Sequence, residues 1–263
     1  MCRIFLSFNR PDNHILVEEF IKQGHINHKK HTPLLKNHRD NGPHKDGTGF
    51  AVFRQHKWKI YKSISTQIPE GFTPKQNELT IGHLRKKCKD FPGHISENNT
   101  HPFFYQNKVM LHNGFLHDID SHPTKYHSWI DKDLLPHIKG ETDTEILFFI
   151  YMTYLRKWKK SNDGYYMIEA LREMLAAFIE HKHQVSANII FADSSYIVIT
   201  RYLWANPKKH KTVQHSLSLY YDVCDGIVIS SEPVTEGYRI IPENTALLIN
   251  IKKETMVAYP IIL

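Results

Sequence analysis

The chain opens Met1-Cys2-Arg3-Ile4-Phe5, and the second residue decides how the rest is read. Once an initiator Met is removed, Cys2 carries a thiol and a free α-amine on one residue. A thiol with an ordinary pKa of about 8.5 is only a few per cent thiolate at neutral pH. An α-amine with a pKa of about 8 can take its proton, directly or through one water. The plainer account makes Cys2 a small hydrophobe opening a first strand. What decides between the two is the company Cys2 keeps further along.

Outward from that stretch, Cys2 to Phe8 reads as a strand closed by Asn9-Arg10-Pro11-Asp12, and a short helix is expected over Ile15 to Ile21. From Lys22 to Lys45 the chain is polar and His-rich and reads as a long surface loop. His25, His28 and His31 are spaced by three, but no acidic or Cys partner stands near and Gly24 and Pro33 oppose a long helix. A solvated loop therefore fits better than a metal site. In His44-Lys45-Asp46-Gly47-Thr48-Gly49-Phe50 a tight turn enters a strand, and Phe50 to Phe53 followed by Trp58 to Tyr61 predicts a hairpin. A phosphate cradle would want a helix there instead.

With 263 residues, the chain has ample length for a sizeable core. Apolar residues make up 41% and charged residues 23%, which places it among ordinary globular proteins. No apolar run reaches about 18 residues, and no basic start leads into an apolar stretch, so neither a membrane helix nor a signal peptide is expected. Three cysteines, Cys2, Cys88 and Cys224, odd in number and far apart, do not suggest a disulfide framework. A cytoplasmic location is the expectation. The net charge of +7 and the 19 histidines raise the possibility of an acidic partner. The Lys runs are short and scattered with no nucleic-acid-binding signature around them, so they read as solvated surface.

Four further stretches carry chemistry. Leu79 to Leu84 is a strand ending in Gly82-His83-Leu84-Arg85, and an Arg there can grip a carboxylate with two hydrogen bonds, although taken alone a surface Arg is the simpler account. After Asn98-Asn99-Thr100-His101-Pro102-Phe103, the strand from Val109 runs into His112-Asn113-Gly114. Read as a polar turn, Asn113 offers a side-chain N–H and Gly114 an unhindered backbone N–H to one point, as a tetrahedral oxyanion requires. A plain Asn-Gly turn is the simpler account. Thr142-Asp143-Thr144-Glu145 fits a capping box, so a helix starts there, with Asp143 in its first turn able to receive an ammonium.

The set of N-terminal Cys, Gly-His-x-Arg, Asn-Thr-His-Pro-Phe, His-Asn-Gly and Thr-Asp-Thr-Glu, in this order, resembles class II glutamine amidotransferases of the N-terminal-nucleophile (Ntn) hydrolase superfamily. Asp46 to Phe50 and Ser230-Ser231-Glu232-Pro233-Val234-Thr235 are similar to the stand-alone branch typified by the ergothioneine-pathway amidohydrolase and the glutathione-degrading amidotransferase subunit. The resemblance spans roughly Cys2 to Pro242. It implies an α+β fold, a four-layer αββα sandwich of two mainly antiparallel sheets covered by helices, as a single type-2 amidotransferase domain over 1–263. It also implies Cys2 as nucleophile with its α-amine as base, Asn113 and Gly114 as oxyanion hole, Arg85 on the substrate α-carboxylate and Asp143 on its α-ammonium. His83 and His101 would support the pocket walls. No metal and no cofactor is implied.

The chemistry expected from the resemblance is cleavage of the γ-amide of glutamine or a γ-glutamyl compound through a thioester. Lys86-Lys87-Cys88 follow Arg85 where synthase-linked members carry an aromatic and small residues, and Thr48 stands where an aromatic is common. With no synthase domain before Leu263, the expectation is hydrolysis for its own sake or delivery of ammonia to a separate partner chain. The competing expectation is a catalytically inactive relative acting as a binding or regulatory module, since a retained Met1 would lock the α-amine in a peptide bond. The rest reads as scaffold. A helix is expected over Tyr165 to Ile179 and a hairpin from Ser186 to Trp204, followed by strands at Leu217 to Tyr221, Gly226 to Ser231, Thr245 to Ile251 and Met256 to Ile262.

Overall fold

The structure, a computed structural model, describes residues 2–25, 43–87, 94–116, 119, 124–158, 160–204 and 218–263. The expectations for His28, His31, Cys88 and most of the 22–45 loop lie outside these residues.

β1 (Arg3–Phe8) is an almost unbroken apolar run, the pattern of a strand covered on both faces. α1 (Asn13–His25) is longer than its periodicity predicts and extends past Ile21, because Gln23 and Gly24 are buried rather than solvated. β2 (Thr48–Arg54) and β3 (Lys57–Ser63) form the expected hairpin. Its two turn residues, Gln55 and His56, both take positive φ (51° and 61°), as a two-residue primed turn requires. β4 (Leu79–Leu84), β5 (Phe103–Tyr105) and β6 (Lys108–Leu116) follow.

α2 (Asp143–Lys157) starts where the capping residues place it, with the Glu145 amide donating to Thr142 Oγ1 at 3.3 Å. The reciprocal half of the box is replaced, since the Glu145 carboxylate accepts the Lys139 and Gly140 amides at 3.0 and 2.6 Å. α3 (Tyr165–Glu180) precedes a second hairpin, β7 (Val185–Ala192) and β8 (Tyr196–Trp204). The chain continues through β9 (Tyr220–Asp222), β10 (Ile227–Ser230), β11 (Arg239–Ile240), β12 (Thr245–Asn250) and β13 (Thr255–Pro260).

Among the described residues these strands make two antiparallel sheets, ordered β11-β9-β10-β1-β4-β2-β3 and β13-β12-β8-β7-β6-β5. Their facing sides meet in a core that includes Ile4, Leu6, Ala51 and Ile81 from one sheet and Val109, Leu111, Ile190 and Ile199 from the other. α1 covers the outer face of the first sheet, packing Leu16, Val17 and Phe20 on Phe5, Phe50 and Leu84. Phe20 stacks on Phe5 at 5.0 Å and meets Phe50 edge-on at 6.2 Å, so truncating it to Ala is expected to cost about 3–5 kcal/mol. α2 and α3 cover the outer face of the second sheet through Leu147, Phe148, Leu171 and Phe178. The layers therefore run helix, sheet, sheet, helix, as the resemblance implies. Among the described residues no helix is long and apolar enough to cross a membrane.

Candidate active site

β1 lies between β10 and β4, and the pairing of Arg3 with Leu84 brings the residue before β1 beside the residues that end β4. Cys2 is half-buried there, its Sγ 3.5 Å from the Lys86 amide nitrogen and 3.7 Å from the Lys86 carbonyl. Burial pushes the Cys2 thiol up from its ordinary value, against the pull of the Lys86 backbone and the Arg85 guanidinium. A thiol held up in this way needs a base to become a nucleophile.

Alternation along β4 sends Leu79, Ile81 and His83 towards the second sheet, and Arg85 continues that parity past the strand end. Arg85 is 5% exposed, and its Nη1 reaches only two carbonyls, Asp46 O and His94 O, each at 3.4 Å. No carboxylate of the described residues forms an ion pair with it. Burial lowers its pKa from the ordinary value, while the charges of Cys2, Asp46 and Asp143 oppose the shift. A buried guanidinium with donors to spare, facing a carboxylate that does not touch it, is equipped to bind an anionic group from outside.

On β6, Val109 and Leu111 point between the sheets and Met110 and Leu116 point to the helices, so Asn113 faces the first sheet and Gly114 the helix side. The expected polar turn at Asn113-Gly114 is not formed. Both residues stay in the strand, paired with Asn188 and Ala187. The glycine serves close approach instead: a Cβ on Gly114 would lie 2.0 Å from Ser186 O. Asn113 is 2% exposed, and its Nδ2 donates to Ser231 Oγ at 3.2 Å.

Asp143, half-buried in the first turn of α2, accepts the Leu116 amide on Oδ2 at 2.9 Å. Its charge acts on both Cys2 and Arg85, so β1, β4 and α2 direct charged groups at one another here. Below them the rings of His83 and His101 stack at 3.8 Å between centroids and 24° between planes, both fully buried. Gly49 makes room for that arrangement, since a Cβ there would lie 1.9 Å from His101 O. Burial drives both histidines well below their ordinary pKa, and Arg85 adds to the effect, so both rings are neutral. Neither touches a charged partner, which fits walls rather than proton carriers. In the same stretch Asn99 and Thr100 are loop stitching. Asn99 accepts the Glu141 amide at 2.7 Å, and Thr100 Oγ1 donates to Ser96 O at 2.8 Å.

Three groups at this corner stand in motifs quoted from the sequence, but no role was read for them there. His112 bridges the Thr144 hydroxyl (3.1 Å) and Ser186 O (2.7 Å), which fastens α2 to β6. Ser231 joins Asn113 to β1, and Glu232 pairs with Arg3, whose Nη1 donates to Cys2 O at 3.3 Å. Their partners are distant in sequence, 118 residues in the case of Ser231 and Asn113, so the motifs do not show what they hold. Among the described residues no cluster of three or more His, Cys, Asp or Glu is arranged to hold a metal ion. A cavity of about 230 Å³ lies at the far end of β6, lined by Lys108, Trp158 and Tyr166, away from these groups.

Two antiparallel sheets enclosed by helices, with a cysteine leading the central strand, define an Ntn-type α+β sandwich. Residues 30–207 match the glutamine amidotransferases class-II, and the chain belongs to that family. Its sequence is 25% identical over 268 residues to the probable glutamine amidotransferase DUG3 of Saccharomyces cerevisiae, covering 82% of this chain and 72% of that protein. Among solved structures it superimposes on a glutamine aminotransferase class-II domain protein from Silicibacter pomeroyi with a TM-score of 0.59 at 16% identity, over 98% of this chain and 99% of that one. It also superimposes on the glutamine phosphoribosylpyrophosphate amidotransferase of B. subtilis, with a TM-score of 0.62 at 13% identity, over all of this chain and 50% of that one. At these identities the structures establish the shared fold. The family membership makes this an amidotransferase- or hydrolase-type protein.

Proposed function

We propose that this chain is a cysteine amidohydrolase that cleaves the γ-amide of glutamine or of a γ-glutamyl compound through a γ-glutamyl thioester on Cys2, after removal of Met1. The observation that carries this reading is the buried, carboxylate-free guanidinium of Arg85 beside Cys2 and opposite Asp143. A zwitterionic amino-acid head has one charge for each: α-carboxylate to Arg85, α-ammonium to Asp143. Held at both ends, the γ-amide is directed at the thiol, and fixing reactants in this way can replace a large part of the entropic barrier.

The thiol proton passes to the α-amine of Cys2, and Sγ attacks the γ-carbonyl carbon. Charge develops on the carbonyl oxygen, where the Asn113 side chain and the Gly114 amide serve as donors. The ammonium of Cys2 returns its proton to the departing nitrogen, ammonia or an amine leaves, and water cleaves the thioester to release the γ-carboxylate. Retention of Met1 would abolish this base, and burial leaves the thiol harder to deprotonate without it.

Intact mass before and after incubation with an electrophilic glutamine analogue tests the reading. Loss of the Met1 mass and one adduct, absent in Cys2→Ala, is the expected result. Protein from the natural host that retains Met1 and takes no adduct would overturn it.

A further inference from the structure

Ser231 follows β10 and is 4% exposed. Its hydroxyl oxygen accepts the Ile4 amide at 3.0 Å and Asn113 Nδ2 at 3.2 Å, while its own amide donates to Ile4 O at 3.0 Å. A hydroxyl oxygen has two acceptor positions, and here one donor from each sheet fills them. Ile4 stands two residues after Cys2, and Asn113 lies on the facing strand. One oxygen thus connects the strand that bears the thiol to the strand that bears the amide.

We propose that Ser231 is a positioning residue for Asn113, fixing its side-chain amide so that the second N–H is available to the oxyanion. The inference rests on the reading of Cys2 and Asn113 given above. An amide nitrogen carries two hydrogens, so donation to Ser231 leaves one for the reacting oxygen. The terminal torsion of Asn is broad and roughly two-fold, so an unanchored amide would present its oxygen as readily as its nitrogen. A donor that matters mainly to the oxyanion affects the transition state more than the bound substrate, which predicts a loss in kcat at nearly constant KM.

The test is a double-mutant cycle on a γ-glutamyl amide. Ser231→Ala should lower kcat by about tenfold or more with KM within about twofold, and Ser231→Thr, which keeps the hydroxyl, should retain most of kcat. In an Asn113→Ala background the same Ser231→Ala change should lower kcat by less than about twofold, because the residue it acts through is gone. A loss of undiminished size in that background, or a rise in KM with kcat unchanged, would overturn the proposal. Ser231→Cys, with a weaker acceptor of similar size, runs the same cycle if Ser231→Ala fails to fold.

A second readout does not depend on turnover. The side-chain amide resonances of Asn113 should move and exchange faster with solvent in Ser231→Ala than in wild type, and an unchanged pair would overturn the proposal. Failure of the amidohydrolase reading looks different: no adduct on Cys2 and no turnover in the wild type, whatever Asn113 does.

Discussion

His112 Nδ1 lies 3.1 Å from the Thr144 hydroxyl, so the strand that carries Asn113 and Gly114 is fastened to the first turn of the helix that carries Asp143. Thr144→Val keeps the volume and removes the hydroxyl, leaving a buried imidazole nitrogen without that partner. The expected cost is about 1–3 kcal/mol in denaturant unfolding. On the proposed reading of Asp143 as partner of the α-ammonium, a less well anchored α2 should raise KM more than it lowers kcat.

Much of the scaffold was legible because its cues are local. The apolar run of β1, the two apolar stretches of the β2–β3 hairpin and the cap at Thr142 each act within a few residues, and each element formed where it was expected. Asn113-Gly114 misled because the pair is a strong turn signal, whereas what fixes it is the β7 backbone at Ser186, 72 residues away from Gly114 in sequence by its numbering. α1 outran its periodicity for a similar reason: Gly24 is held by burial in the fold, which a propensity argument does not see. Of the candidate site, the motifs single out the proposed substrate-facing residues, and the same motifs contain His112, Ser231 and Glu232 without showing the partners these three hold across the fold.

Gly114→Ala tests that correction. Its Cβ would meet Ser186 O at 2.0 Å and His112 Nε2 at 2.5 Å, and backbone cannot move aside as a flexible side chain can. A turn glycine with solvent around it would tolerate the methyl far better. The variant should lose about 3 kcal/mol or more, or fail to fold, and melting curves against wild type decide between the two accounts.

Arg85→Lys retains the charge and loses the planar fork. On the proposed reading, in which Arg85 holds the α-carboxylate by two hydrogen bonds, KM for glutamine should rise by about tenfold to a hundredfold with a smaller change in kcat, because the lost contact is present in ground and transition state alike. Steady-state kinetics check this. An unchanged KM would mean that the α-carboxylate is bound elsewhere.

Two lysines follow Arg85 in sequence, Lys86, whose backbone amide meets Cys2 Sγ, and the exposed Lys87, whose backbone amide donates to Asp46 Oδ2 at 2.7 Å. A γ-glutamyl peptide carries a further carboxylate beyond the scissile amide, and positive charge on this stretch would favour it over glutamine. Its kcat/KM should exceed that of glutamine, and the advantage should shrink with added salt and in Lys87→Gln. A strong preference for glutamine at low salt would remove the idea.

Acid should weaken the fold through the stacked pair of His83 and His101. Burial holds both folded-state pKa values well below the ordinary histidine value of about 6.5, so below that pH the unfolded chain binds protons that the folded chain does not. The stability present above about pH 6.5 is therefore lost as the pH falls below it, by about 1.4 kcal/mol per pH unit for each such histidine, until the folded-state pKa is reached. The charged and titratable groups acting on the pair are Arg85, His44, His112 and Lys62, none of which is acidic, so none offsets the imidazolium. His101→Phe keeps a ring for stacking and removes the proton site. Urea unfolding at pH 7.0 and 5.5, two chosen pH values about 1.5 units apart, should show a clear fall in stability for wild type and a shallower one for His101→Phe. Equal slopes in the two proteins would assign the acid sensitivity to other groups.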